Sequence, residues 1–176
     1  VGQAADVRAW EPCWCVRTDM ADPIIELIKN KFSDSIEDTL EFRGETTLVV
    51  KADRLIDLCK FLRDEQQFDF LSDVSGVDHY PAEPRFDVNY HLYSMEHNRR
   101  LRLKVRLAGA DPIVPSVTSV WPGANWHERE VYDLIGIPFS GHPDLRRIFM
   151  PDDYLGHPLR RDAPLVYEEP QFTHNF

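Results

Sequence analysis

The spacing of hydrophobic residues changes several times along this chain, and each change marks a new element. Ile24, Leu27, Ile28 and Phe32 recur at helical spacing. They predict a helix over residues 22–32, with Asp22 as its cap and Pro23 in the first turn, where a missing N–H is harmless. Two strand-like runs, residues 36–42 and 46–51, flank Arg43-Gly44-Glu45 and read as a hairpin. Asp53 then stands where it can cap a second helix, with Leu55, Ile56, Leu58, Cys59 and Leu62 on its apolar side. Next, Phe86, Val88, Tyr90 and Leu92 alternate with Asp87, Asn89 and His91. After a turn at Glu96-His97-Asn98, Leu101, Leu103, Val105 and Leu107 alternate with Arg100, Arg102, Lys104 and Arg106. A period of two puts one strand face in the core and the other in water. The four cations read as a solvated outer face beside acidic neighbours rather than as an anion site.

A proline-interrupted connector over residues 111–122 leads to a third predicted helix, residues 123–135. Beyond Gly136 the character changes. Pro138, Pro143, Pro151, Pro158, Pro164 and Pro170 punctuate the rest of the chain, and no apolar period is sustained. Proline removes a donor and holds its predecessor extended, so neither a helix nor a central strand persists there. Yet residues 141–176 carry many large apolar side chains, from Leu145 to Phe176, which disordered tails usually lack. Such a segment needs a surface to lie on, either its own domain or a partner. The order of elements predicts an α+β fold, an antiparallel or mixed sheet with helices packed on one face, followed by an extended proline-rich C-terminal tail. The expected division is an N-terminal segment over residues 1–20, an α/β domain over 21–136 and a tail over 137–176.

Composition narrows the function classes. The 176 residues carry a formal net charge of −10, which argues against nucleic acid and anionic membrane surfaces, since both select clustered Lys and Arg. No apolar stretch approaches the roughly 20 residues that cross a bilayer, and no charged-then-apolar signal opens the chain. Three cysteines, Cys13, Cys15 and Cys59, cannot all pair internally and suit a reducing compartment. Cys13 and Cys15 have the wrong spacing for a two-residue metal knuckle, and Cys59 sits on an apolar helix face. The glycines, 8 in all, form no phosphate-cradling loop, so direct binding of NADH or FMN is not expected.

Candidate chemistry concentrates in one stretch. Residues 126–162 bring together Glu128, Arg129, Glu130, Asp133, Gly136, His142, Pro143, Leu145, Arg147, Pro151, Gly156, Pro158, Leu159, Arg160 and Asp162. A hydrolase or metal site could be drawn from Glu128, Glu130, Asp133, His127, His142 and His157. However, the His-Glu-Arg-Glu run lacks the second histidine at the helical spacing that zinc hydrolases use. Each Gly-His-Pro also works as a direction device, a permissive glycine before a residue held extended by proline. On a helix, Glu128, Val131 and Ile135 share one face, with Glu130 and Asp133 elsewhere. A carboxylate on an apolar face needs a partner. Arg146, Arg147, Arg160 and Arg161 are the obvious suppliers, so an ion pair from Glu128 or Glu130 to this arginine set, or to a partner protein, is expected.

The same stretch closely resembles the signature of the thirty-kilodalton subunit of respiratory complex I, the C subunit of NADH:quinone oxidoreductase. The resemblance implies a peripheral-arm component that is not itself catalytic and holds no cofactor or metal, with FMN and Fe–S clusters in its partners. It implies contact foremost with the large quinone-site protein, the D subunit of complex I. The Fe–S-bearing B and I subunits would follow, with the G subunit beside them, quinone being met only indirectly. The complex would sit on the cytoplasmic face of the membrane, or on the matrix or stromal side, and this chain would touch the membrane only through it. Photosynthetic NDH complexes, F420H2 dehydrogenases and membrane-bound hydrogenases carry related chains, and a free-standing adaptor is the alternative outside respiration. The signature residues above, with Arg146, His157 and Arg161, form the expected interface. Phe149, Tyr154, Tyr167 and Phe172 are its candidate aromatic anchors, because aromatic residues are favoured at interface centres.

Overall fold

The structure, a computed structural model, describes residues 23–163. Cys13, Cys15, Asp22, Tyr167 and Phe172 therefore lie outside the described residues, as does the end of the expected tail. Helix α1 (Pro23–Lys31) leads into the hairpin of β1 (Ile36–Phe42) and β2 (Glu45–Val50). Both turn residues, Arg43 and Gly44, have positive φ, at 52° and 77°, which matches the right-handed twist of the flanking strands. A single 3-10 turn (Ala52–Arg54) precedes α2 (Leu55–Asp64). Asp53 lies within that turn; Arg54 is the cap residue, without a side-chain capping bond. Strands β3 (Phe70–Asp78), β4 (Phe86–Ser94) and β5 (Arg99–Leu107) follow, then β6 (Val114–Pro115), α3 (Ala124–Ile135) and β7 (Phe139–Ser140).

The five long strands form one sheet in the order β1-β2-β5-β4-β3, with β2 and β5 parallel and the other pairs antiparallel. Register explains the two faces. Leu103 stands beside Leu48 and Tyr90, and Val88 beside Val105, all buried in the core with Leu55, Leu58, Cys59 and Leu62 of α2. On the opposite face Lys104 reaches Asp87 at 3.1 Å and Arg102 pairs with Glu45. Two of the four cations of β5 are thus answered by neighbouring acids.

Strand β3, which the hydrophobic pattern does not reveal, forms the edge against which α3 packs. Gly76 makes that approach possible. A Cβ placed there would lie 2.7 Å from Ile135 Cδ1 and 3.0 Å from Val131 Cγ1. Helix α3 ends at Gly136, whose φ of 82° provides the left-handed cap that a side chain would resist. The core does not end there. Ile137 is fully buried and Phe139 is 3% exposed. Val114 and Ser116 donate their backbone N–H groups to the carbonyls of Pro138 and Ser140. A folded unit ending at Gly136 would therefore leave part of its own core behind.

Candidate functional site: two buried carboxylates beneath a C-terminal strap

Residues 142–163 form no regular element, yet they are held against α3 by hydrogen bonds from one end to the other. The centre is Asp133, fully buried. Its Oδ2 accepts the backbone N–H groups of Ile148, Phe149 and Met150 at 3.0, 2.7 and 2.9 Å, and Arg147 Nη1 lies 3.1 Å from Oδ1. Burial alone would push this carboxyl upward. The three amides and the guanidinium outweigh it and hold the group below the usual carboxylate range. Arg147 also donates to Gly156 O at 3.1 Å, so one side chain joins two turns of the strap.

Further bonds complete the strap. Arg129 donates to the carbonyls of Arg146 and Arg147 while lying over the Trp126 ring. Leu159 N–H donates to Leu134 O, and the His157 ring bonds Asp133 O at 2.9 Å. Arg160 Nε donates to Ile135 O at 2.6 Å, a cation on the carbonyl end of α3 where the helix dipole favours it. Gly136 lets His157 in, since a Cβ there would meet its ring at 2.4 Å. The strap ends on the sheet. Arg85 grips Asp78 with two bonds of 2.9 Å and reaches Asp162 at 2.9 Å, and Arg161 N–H donates to Asp78. These donors, Arg85 first, hold the Asp78 carboxyl far below its ordinary range.

Glu128 is the second fully buried carboxylate, and no arginine among the described residues meets it. It is fully enclosed. Ser116 Oγ donates to Oε2 at 2.6 Å and Val117 N–H to Oε1 at 2.7 Å. His142 Nε2 lies 3.9 Å from Oε2 and 3.3 Å from Asn125 O, while its Nδ1 accepts Asp144 N–H at 3.1 Å. The expected Glu128–arginine ion pair is therefore replaced by neutral donors. Among the described residues Glu130 has no ion-pair partner either. Of the arginine set only Arg147 meets a buried carboxylate, and it serves Asp133, a residue the helical-face argument placed away from the buried side. The strap covers that side, which no local period could show.

Burial pushes the Glu128 carboxyl up from its usual 4.5 to about 7, against the lowering effect of Ser116 and Val117. A group whose folded pKa is raised favours the fold fully below its unfolded pKa and loses that contribution as pH rises through the folded value. Wild-type stability should therefore fall between pH 4.5 and about 7 by an amount on the order of 3 kcal/mol, at ~1.4 kcal/mol per tenfold. Glu128→Gln keeps an acceptor for Val117 and should flatten that slope. Urea melts across this pH range check it, and parallel curves for the two proteins would contradict it.

The arrangement assembles carboxylates and arginines for holding one segment of the chain against another. Among the described residues no three His, Cys, Asp or Glu side chains gather as a metal site, and no helix is long and apolar enough to cross a membrane. Around the Asp133–Arg147 bond the strap leaves Phe149 61%, Leu155 93% and Leu159 59% exposed, with Tyr154 and Trp126 also open. Such a surface belongs to an α+β module with open apolar side chains. The profile of the family described as respiratory-chain NADH dehydrogenase, 30 Kd subunit, matches residues 48–169, and the chain belongs to that family. It is 48% identical over 154 residues to the NADH-quinone oxidoreductase C subunit of Roseiflexus sp. (strain RS-1), covering 86% of this chain and 88% of the relative. It is 51% identical over 139 residues to the corresponding C subunit of Geobacter sulfurreducens, covering 78% and 86%. A solved trypsin-resistant fragment of Nqo5 superposes with a TM-score of 0.62 at 32% identity, covering 70% of this chain and 97% of the fragment. A chain of an archaeal membrane-bound sulfane sulfur reductase, at 24% identity and a TM-score of 0.70, covers 82% of this chain and 85% of its own and shares the fold.

Proposed function

We propose that this chain is a non-catalytic peripheral-arm component of an NADH:quinone oxidoreductase, supporting assembly of the quinone-reducing module. Electrons would pass from NADH through FMN and Fe–S clusters held in partner proteins to quinone. The large quinone-site protein is the foremost partner in this reading, with the B, I and G subunits beside it. The complex holds the chain at the cytoplasmic face of the membrane or its organellar equivalent. Family membership supports the assignment. The observation that carries it is the division of labour within residues 126–162. The polar signature residues Asp133, Arg147, His157, Arg160 and Asp162 bond within the chain, while Phe149, Leu155 and Leu159 point away from it. Polar groups bonded within the chain thus shape the strap, and its apolar side chains remain open for a partner. Tyr154 joins them at 38% exposed.

Phe149→Ser with Leu155→Ser tests this directly. Exposed side chains contribute little to folding, so the thermal midpoint should stay within the change of about 0.5 kcal/mol typical of surface substitutions. Anchor residues at an interface cost about 2 kcal/mol each when truncated, so co-purification of the partner proteins should fall at least about tenfold. Unchanged recovery of a folded double variant would overturn the docking role of this surface.

A further inference from the structure

The buried carboxyl of Glu128 is bonded to a short chain of hydroxyls. Ser116 Oγ lies 2.6 Å from Glu128 Oε2 and 2.8 Å from Thr118 Oγ1. Thr118 is half-buried, so the chain of oxygens leads from a fully enclosed carboxyl to a residue in contact with solvent. We propose that Glu128 is a proton-binding site that exchanges with solvent through the hydroxyl relay of Ser116 and Thr118 while the domain stays closed.

The relay balances in both states. With Glu128 ionised, Ser116 donates to Oε2 and accepts the Thr118 hydroxyl proton. A solvent proton then binds Thr118 Oγ1, the Thr118 proton moves to Ser116 Oγ, and the Ser116 proton moves to Glu128 Oε2. The product is a neutral acid donating to Ser116, which donates to Thr118, whose hydroxyl now faces water. One proton has entered and one is bound. Each hydroxyl carries one donor and two acceptor positions. The further bond from Thr118 N–H to Ser116 Oγ at 3.2 Å therefore fits either direction.

Three titratable groups lie near Glu128: His142, Cys59 and Tyr90. His142, on the chain leaving β7, has Nδ1 occupied by the Asp144 amide. Cys59 of α2 and Tyr90 of β4 interact electrostatically with Glu128, and burial first, then that carboxyl, pushes both of their pKa values upward, so both stay protonated. The Tyr90 hydroxyl is buried with no hydrogen-bond partner among the described residues. Burial correspondingly lifts the Glu128 pKa to about 7, where both protonation states are populated near neutral pH. A buried, perturbed acid joined to the surface by hydroxyls is the arrangement expected of a group that exchanges protons. Nothing in this inference depends on the partner-docking role of the strap.

Time-resolved infrared spectroscopy of the full chain after a pH jump reads the relay, with the Glu128 carboxyl band assigned by its absence in Glu128→Gln. The wild type should titrate near pH 7 and follow the jump promptly. Thr118→Val is isosteric and lacks the hydroxyl. It should keep the midpoint and slow exchange by about tenfold or more, a barrier rise of ~1.4 kcal/mol. Thr118→Ser should restore the rate. Equal rates in wild type and Thr118→Val would overturn the relay, as would equal slowing by Val and Ser or a Glu128 midpoint in the ordinary carboxylate range.

Discussion

A chain truncated after Gly136 should fail to fold cooperatively, whereas one truncated after Ala163 should fold. The first removes Ile137 and Phe139, both buried, at about 1.5–3 kcal/mol for each side chain. It also strips Asp133 of the three amides and the arginine that compensate its burial, at about 3–5 kcal/mol for a broken buried pair. Together these approach the roughly 5–15 kcal/mol that holds a typical domain folded. We therefore propose that the folding unit reaches Ala163, beyond the boundary at residue 136 that the proline pattern suggests. Circular dichroism and a thermal melt separate the outcomes. A sharp native-like melt from the shorter chain would show that strap and domain are independent.

Removing the carboxylate alone should be nearly as damaging. In Asp133→Ala the amides of Ile148, Phe149 and Met150 and the guanidinium of Arg147 lose their acceptor, while the helix they covered is opened. The expected loss of about 3–5 kcal/mol corresponds to a fall in Tm of about 6–20 °C for a chain of this size. The pH dependence of Asp133 runs opposite to that of Glu128. Its folded pKa is depressed, so its contribution is present above the unfolded carboxylate pKa and is lost as pH falls through the folded value. Hydrogen exchange at residues 148–150 should quicken in the variant before the sheet amides do. A variant melting within a degree or two of wild type would refute the assignment of Asp133 as the strap's anchor.

What the sequence revealed and concealed follows from local geometry. Strands β4 and β5 were legible because their side chains alternate without interruption and pair in unbroken register. Strand β3 was not. Its register shifts between Leu71 and Asp73, and its inward positions beyond Val74 are Gly76 and Asp78. A bulge breaks the period, and a glycine that admits α3 leaves no hydrophobic mark. The parallel pairing of β2 with β5 is long-range and has no local signal. At the site, the signature stretch drew attention to carboxylates and arginines. The pairing was misassigned because a helical wheel knows only the helix. Asp133 is buried by residues 14 to 17 positions further along the chain. Glu128 is satisfied by Ser116 and Val117 from a connector that gave no hint of its position. Proline kept residues 142–163 out of regular structure, as expected, but backbone amides turned toward a carboxylate replaced helix and sheet as the binding device.

The assignment as a non-catalytic component of the complex meets its most direct test in cofactor analysis of the protein prepared in two ways. Expressed alone, it should be colourless, contain neither flavin nor stoichiometric iron, and leave NADH unoxidised. Affinity-purified from its native host under mild conditions, it should bring down partner proteins with flavin, Fe–S absorbance and NADH-dependent quinone reduction. Flavin or iron in the washed single chain, or a native preparation that elutes without partners, would contradict the account.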